Sequence, residues 1–104
     1  MEDIIVKSTV ESFEEDVLKS NVPAAVLFYT EGCPVCDSFI PIFERTAQKY
    51  SKHMKFVKIY RQQNRQLGES LKVKSSPTVL FYKDGKEVCT RLNGYISNPE
   101  LLQP

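Results

Sequence analysis

Apolar residues run without a break from Ala24 to Tyr29. A continuous run, in place of polar alternation, predicts a strand covered on both faces in a parallel sheet. Downstream, Phe39, Phe43, Ala47 and Tyr50 recur at helical spacing and form one stripe of a long helix. Pro41 falls inside that helix and predicts a kink, because proline lacks the backbone donor and crowds the preceding turn. Met54 to Tyr60 reads as the next strand, which makes strand, long helix and strand a right-handed βαβ unit.

The flanks follow the same logic. Ile4 to Val6 is a short β-branched run. It precedes a helix capped by Ser8 or Thr9, with apolar positions at Val10, Phe13, Val17 and Leu18. Asn21 and Pro23 end that helix. Gln63 to Leu71 is a polar helix with Leu67 and Leu71 on one side, weakened by Gly68. Pro77 to Tyr82 is a strand, Asp84-Gly85 marks a hairpin turn, and Glu87 to Leu92 returns antiparallel. Asn98 as N-cap and Pro99 at the first helical position start a last helix, with the chain ending at Pro104. The order is β-α-β-α-β-α-β-β-α. It predicts an α/β fold: a central mixed sheet of about five strands with helices on both faces, in a single domain over residues 1–104.

Composition narrows the function classes. At 104 residues, with 41% hydrophobic and 26% charged residues, the chain has the make-up of one small globular domain. No apolar run is long enough to span a membrane, and the acidic start Met1-Glu2-Asp3 carries no secretory pattern. The net charge is +1, but it is unevenly spread. Acids dominate residues 1–16, whereas Lys49, Lys52, Lys55, Lys58, Arg61, Arg65, Lys72 and Lys74 are offset only by Glu69 within residues 49–74. A basic stretch attracts acidic partners or nucleic acid. No phosphate-binding loop or nucleic-acid motif accompanies it, so a solvated face is the expected reading.

The chemistry lies directly after the apolar strand, at Cys33-Pro34-Val35-Cys36. Disulfide exchange needs a thiolate to attack a disulfide sulfur and a second thiol nearby to resolve the mixed disulfide. A Cys-x-x-Cys at a helix start brings both sulfurs to one end of one turn, where unsatisfied N–H groups and the helix dipole favour a thiolate. Pro34 suits the first helical position. Cys33 is then the nucleophile and Cys36 the resolving thiol. The competing reading is half of a zinc site, for which only His53 and Cys89 are left as distant further ligands. No metal site is expected. Cys89, between Val88 and Thr90 in a strand, reads as a small buried hydrophobe, with a regulatory or dimer-forming thiol as the alternative. His53 reads as solvated. The odd cysteine count argues for a reducing compartment over a disulfide framework.

The segment Phe28-Tyr-Thr-Glu-Gly-Cys-Pro-Val-Cys36 resembles the active-site segment of thioredoxins, and the similarity runs over nearly the whole chain. Pro41 stands where that family kinks its helix. Ser76-Pro77-Thr78 resembles the family's cis-proline loop beside the dithiol, Gly94 its glycine after the last strand, and Lys58 its strand lysine under the site. The resemblance implies a thioredoxin fold. It also implies a substrate-binding surface of Pro34, Val35, Ser76, Pro77 and Gly94, in which the Ser76 backbone pairs with an extended substrate segment.

Several positions depart from the family pattern. Pro34-Val35 replaces the usual Gly-Pro and is closer to the Pro-aromatic pair of glutaredoxins. Gly32 stands where a tryptophan is usual, and Tyr29 at the other tryptophan position, as a packing aromatic or a rim contact for substrate. Leu27 replaces the buried aspartate, which leaves water, Lys58 or Glu31 to take the Cys36 proton. Asp37, where lysine is common, is expected to oppose thiolate formation. Leu27, Tyr29, Asp37 and Lys58 therefore tune the site.

The expected activity is thiol–disulfide exchange on protein disulfides through a redox-active Cys33–Cys36 pair, with no bound cofactor. A flavoprotein thioredoxin reductase is the expected electron donor, and a cytoplasmic monomer the expected form. Two alternatives are a glutaredoxin-like protein using glutathione, and a redox-inert thioredoxin-fold interaction module or one domain of a larger reductase.

Overall fold

The computed structural model describes residues 4–93. Its five strands are β1 (Ile5–Ser8), β2 (Ala24–Tyr29), β3 (Lys55–Tyr60), β4 (Thr78–Lys83) and β5 (Lys86–Asn93). They form one sheet in the order β1-β3-β2-β4-β5. β3 is parallel to β1 and β2, β4 is antiparallel to β2, and β5 is antiparallel to β4. The sheet is mixed, as predicted, with β2 at its centre.

That position explains the β2 sequence. Ala24 through Phe28 are all buried. Their side chains alternate between two cores, as the two-residue strand period requires. Ala25 and Leu27 join Phe56 and Val79 under α1 (Pro34–Tyr50), which contributes Phe39, Ile42, Phe43 and Ala47. Ala24, Val26 and Phe28 face the opposite layer, with Phe13, Val17, Leu67 and Leu80. α1 runs through Pro41 without a break in its helical assignment.

The segment before β2 differs from the expected α-helix. Thr9 and Ser12 close the turn that leads into it, the Ser12 N–H donating to Thr9 Oγ1 at 3.3 Å and the Thr9 N–H to Ser12 Oγ at 3.0 Å. The helical turn itself starts after Phe13 without the expected side-chain cap. Glu14–Leu18 then takes a π-helical turn, with the Lys19 N–H donating to the Glu14 carbonyl at 2.9 Å. Five-residue closure widens the turn. Phe13 and Val17 still reach the core, but Leu18 does not.

α2 (Arg65–Ser70) is a shorter form of the predicted polar helix, with Leu67 buried. It is preceded by a 3-10 turn, Arg61–Gln63. The Asn64 side chain ties this region to the start of the chain: Oδ1 accepts from the Val10 N–H at 2.9 Å and Nδ2 donates to the Tyr60 carbonyl at 2.8 Å.

The Asp84-Gly85 turn has positive φ at both residues (54° and 79°), as a two-residue hairpin turn of matching twist needs. One expectation fails on β5. Cys89 is exposed, not buried, and has φ 63° within an irregularity of the β4–β5 pairing. Between the pairs Phe81–Val88 and Val79–Leu92, Leu80 alone faces Cys89, Thr90 and Arg91, so the edge strand bulges. None of the described residues buries the cysteine at that edge. Gly94 and the Asn98-Pro99 helix start lie outside the described residues.

Candidate active site

β2 and β3 run parallel, so the turns leaving both strands meet at one edge of the sheet. After Tyr29 the chain turns through Thr30, Glu31 and Gly32 into α1. Gly32 has φ 72°, a backbone state that side-chain-bearing residues rarely adopt. This turn sets Cys33 in extended conformation as the N-cap of α1. Its Sγ accepts a hydrogen bond from the Cys36 N–H at 3.2 Å, where capping residues usually offer oxygen. Pro34 holds the first helical position, where a missing N–H costs nothing.

The two thiols sit in different surroundings. Cys33 is half-exposed and Cys36 fully buried; both are free. Cys33 Sγ donates to the Ser76 carbonyl at 3.7 Å, and Thr30 Oγ1 and Cys36 Sγ lie within sulfur hydrogen-bond reach at 3.9 Å. The pair is electrostatically split. Hydrogen bonds from the Cys36 side chain and backbone, with help from Thr30 and the Val35 N–H, hold the Cys33 thiol below its ordinary pKa. Burial, reinforced by Cys33, pushes Cys36 above it. The two thiols of one helical turn are thus shifted in opposite directions.

The Ser76–Pro77 peptide bond is cis, and Pro77 is buried. Thr78 anchors the loop by donating through Oγ1 to the Ser75 carbonyl at 2.8 Å. On the far side, the Arg61 guanidinium donates to Ser76 Oγ at 3.3 Å and to the Val73 carbonyl at 3.2 Å. Cys33, Cys36, Ser76 and Pro77 are therefore brought together as the sequence predicts.

The remaining predicted residues spread out around this centre. Pro34 and Val35 are exposed beside Cys33, with Val35 at 40%. Asp37 is exposed on the first turn, its N–H donating to the Cys33 carbonyl at 2.9 Å. Leu27 is buried in the α1-side core, in register with Lys58 on one side and Val79 on the other. No titratable group replaces it at that point of β2. Lys58 is half-exposed. Tyr29 packs on Tyr60 with ring centroids 5.5 Å apart, and burial raises its phenol pKa. The packing role of Tyr29 is thus visible. Glu31 is exposed and donates its N–H to Gln62 Oε1 at 3.1 Å.

Thr30 and Arg61 were not among the predicted site residues. Each directly follows a central parallel strand at its C-terminal end, where ligand sites of parallel sheets gather, and that signal would have found both. Among the described residues, no three His, Cys, Asp or Glu side chains cluster as metal ligands would. His53 and Cys89 are exposed. No described helix is long and apolar enough to cross a membrane.

Comparison with known proteins decides what this arrangement is related to. The thioredoxin family model matches residues 4–103. The chain belongs to the thioredoxin family. Its relatives include a thioredoxin of Acidithiobacillus ferridurans, 34% identical over 97% of this chain and 93% of that protein. A thioredoxin of Pseudomonas aeruginosa is 32% identical with the same coverage. Thioredoxin 1 of Synechococcus elongatus is 33% identical over 76% of this chain and 74% of its own length. The sheet order, the capped Cys33–Cys36 turn and the family match together make this a thioredoxin-like thiol–disulfide oxidoreductase at family level.

Proposed function

We propose that the protein reduces disulfides of protein substrates, with Cys33 as nucleophile and Cys36 as resolving thiol. The observation that carries this reading is the geometry of one helical turn: a half-exposed Cys33 caps α1 with its Sγ accepting from the Cys36 N–H, and Cys36 lies buried behind it. The Cys33 thiolate attacks one sulfur of the substrate S–S bond and forms a mixed disulfide. The other substrate sulfur leaves as thiolate and takes a proton from water. Cys36 then gives up its proton and attacks Cys33 Sγ. The bond to the substrate breaks, the departing sulfur takes up a proton, and a Cys33–Cys36 disulfide remains. The substrate gains two electrons and two protons, and the dithiol loses them.

The surroundings suit a peptide partner. Val35 offers apolar contact beside the nucleophile, and Ser76 presents backbone next to Cys33 for pairing with an extended segment. A flavoprotein thioredoxin reductase is the electron donor in this reading. The exposed free thiol of Cys89 suits a reducing compartment such as the cytoplasm, where it stays unpaired. Comparing turnover with glutathione and with a thioredoxin reductase separates this donor from a glutaredoxin-like one.

The direct test is insulin reduction. The Cys33→Ser protein loses it, and Cys36→Ser accumulates a mixed disulfide with substrate. Full activity in Cys33→Ser overturns the assignment.

A further inference from the structure

Beside the dithiol lies a cavity of about 430 Å³, lined by Thr30, Arg61, Gln62, Arg65, Gly68 and Glu69 among others. Its size is that of a small ligand site; its wall mixes apolar surface, Val73 included, with polar groups, and its charged side chains are Arg61, Arg65 and Glu69. Arg61 spends two N–H groups on neutral acceptors, Ser76 Oγ and the Val73 carbonyl, which fixes the plane of its guanidinium. Arg65 is exposed, and neither arginine is ion-paired to a carboxylate among the described residues. The Gln62 Oε1 is occupied by the Glu31 N–H, which leaves its amide N–H groups as donors. Glu69 is the opposing charge; the two guanidinium groups outnumber it. Gly68 adds no side chain to the wall, and a Cβ there would meet only Arg61 Cγ, at 3.9 Å.

The cavity is linked to the sulfurs on both sides. Thr30 in its wall reaches Cys36 Sγ, and Arg61 holds Ser76, whose carbonyl accepts from Cys33 Sγ. A side chain flanking a cysteine that reacts at Cys33 therefore lies next to the fixed guanidinium of Arg61, with Arg65 on the same cavity wall.

We propose that this cavity is a specificity subsite for a carboxylate carried within two residues of the substrate cysteine. The proposal rests on the disulfide-exchange reading above and adds what the site selects. Planar guanidinium groups recognise carboxylates through paired, charge-assisted hydrogen bonds. Such a contact in a half-exposed site is worth about a five- to tenfold preference. It gives Arg65 a role in the basic stretch and adds one to Arg61, which already holds Ser76.

The test compares disulfide peptides carrying Glu or Gln one or two residues from the reacting cysteine. The wild-type kcat/KM ratio of Glu to Gln peptide is expected at about five to ten at low ionic strength, falling several-fold in about 0.5 M salt. In Arg61→Gln/Arg65→Gln the ratio approaches one, and in Glu69→Gln it rises. Glutathione disulfide against its neutral diester forms a second arm. A preference in both arms shows that the subsite reads a carboxylate from either source, and a preference among peptides alone assigns it to protein segments. A wild-type ratio of one at every peptide position, with normal turnover, overturns the subsite and leaves the exchange reading standing. Binding of the same peptides with serine in place of cysteine, followed by the amide signals of Thr30, Gln62 and Gly68, separates the opposite case. Tighter binding of the Glu peptide without any turnover upholds the subsite and overturns the exchange reading, whereas equal binding overturns the subsite.

Discussion

The central strand β2 leads into a cysteine pair and the edge strand β5 carries a cysteine of its own, with opposite results. β2 is buried over five successive residues and delivers Cys33 and Cys36 to a capped helix start at its end. β5 is exposed through its first five residues and carries Cys89 on its bulged surface. Exposure alone does not make a reactive thiol; a thiolate needs donors aimed at it. Cys33 has the Cys36 N–H and Thr30 within the network that lowers its pKa. The rigid core beneath β2 is what keeps those donors fixed.

The strongest way to break this contrast is to exchange the sulfurs for oxygen. Cys33→Ser is expected to lower disulfide reduction by at least about 10³-fold, since no other group supplies the nucleophile. Cys89→Ser is expected to stay within about twofold in the same insulin assay. A large loss from Cys89→Ser would give the edge a role that its position does not suggest.

A second comparison concerns support. Leu27→Ala removes a fully buried side chain from the α1-side core and is expected to cost about 3 kcal/mol. Val88→Ala, at 37% exposure on β5, is expected to cost about 0.5 kcal/mol or less. Urea denaturation of the reduced proteins measures both. Equal losses would mean that the edge is as integral as the centre.

The split within the dithiol is read by alkylation across pH. Cys33 is expected to react with an apparent pKa below the free thiol value of about 8.5, and Cys36 above it. At pH 7 the rate ratio is expected to exceed about tenfold in favour of Cys33. The sign for stability follows. In the reduced protein, the contribution of Cys33 is present above the ordinary thiol pKa and is lost as pH falls through its lowered value. That of Cys36 is present below the ordinary value and is lost as pH rises through its raised one. Thr30→Val makes the smallest change. It removes one of the hydrogen bonds that lower Cys33, and is expected to slow Cys33 alkylation at pH 7 by about threefold. An unchanged rate would leave the Cys36 side chain and N–H as the controlling donors.

Much of this is legible in the sequence. The run Ala24–Tyr29 matched β2 at both ends, because continuous burial leaves a continuous apolar signature. The stripe Phe39, Phe43, Ala47 and the Cys-Pro-Val-Cys start outlined α1, because capping and amphipathicity are local properties. The Ser76-Pro77 loop was legible through resemblance. Leu18 and Cys89 misled for one reason: both are apolar or small residues in locally regular patterns. Whether such a position is covered depends on a π turn in one case and a sheet edge in the other.

By itself, the sequence determined the strand, the helix and the two cysteines at their junction, since those depend on spacing along a few turns of chain. Tertiary structure alone decided which residues stand beside each thiol and so what shifts the two in opposite directions. Thr30, Arg61 and Ser76 are far apart in the chain and meet only because β2 and β3 are parallel neighbours and the β4 loop folds back against their ends. A pKa and a cavity are properties of that meeting, because both depend on distances between segments that no local pattern encodes.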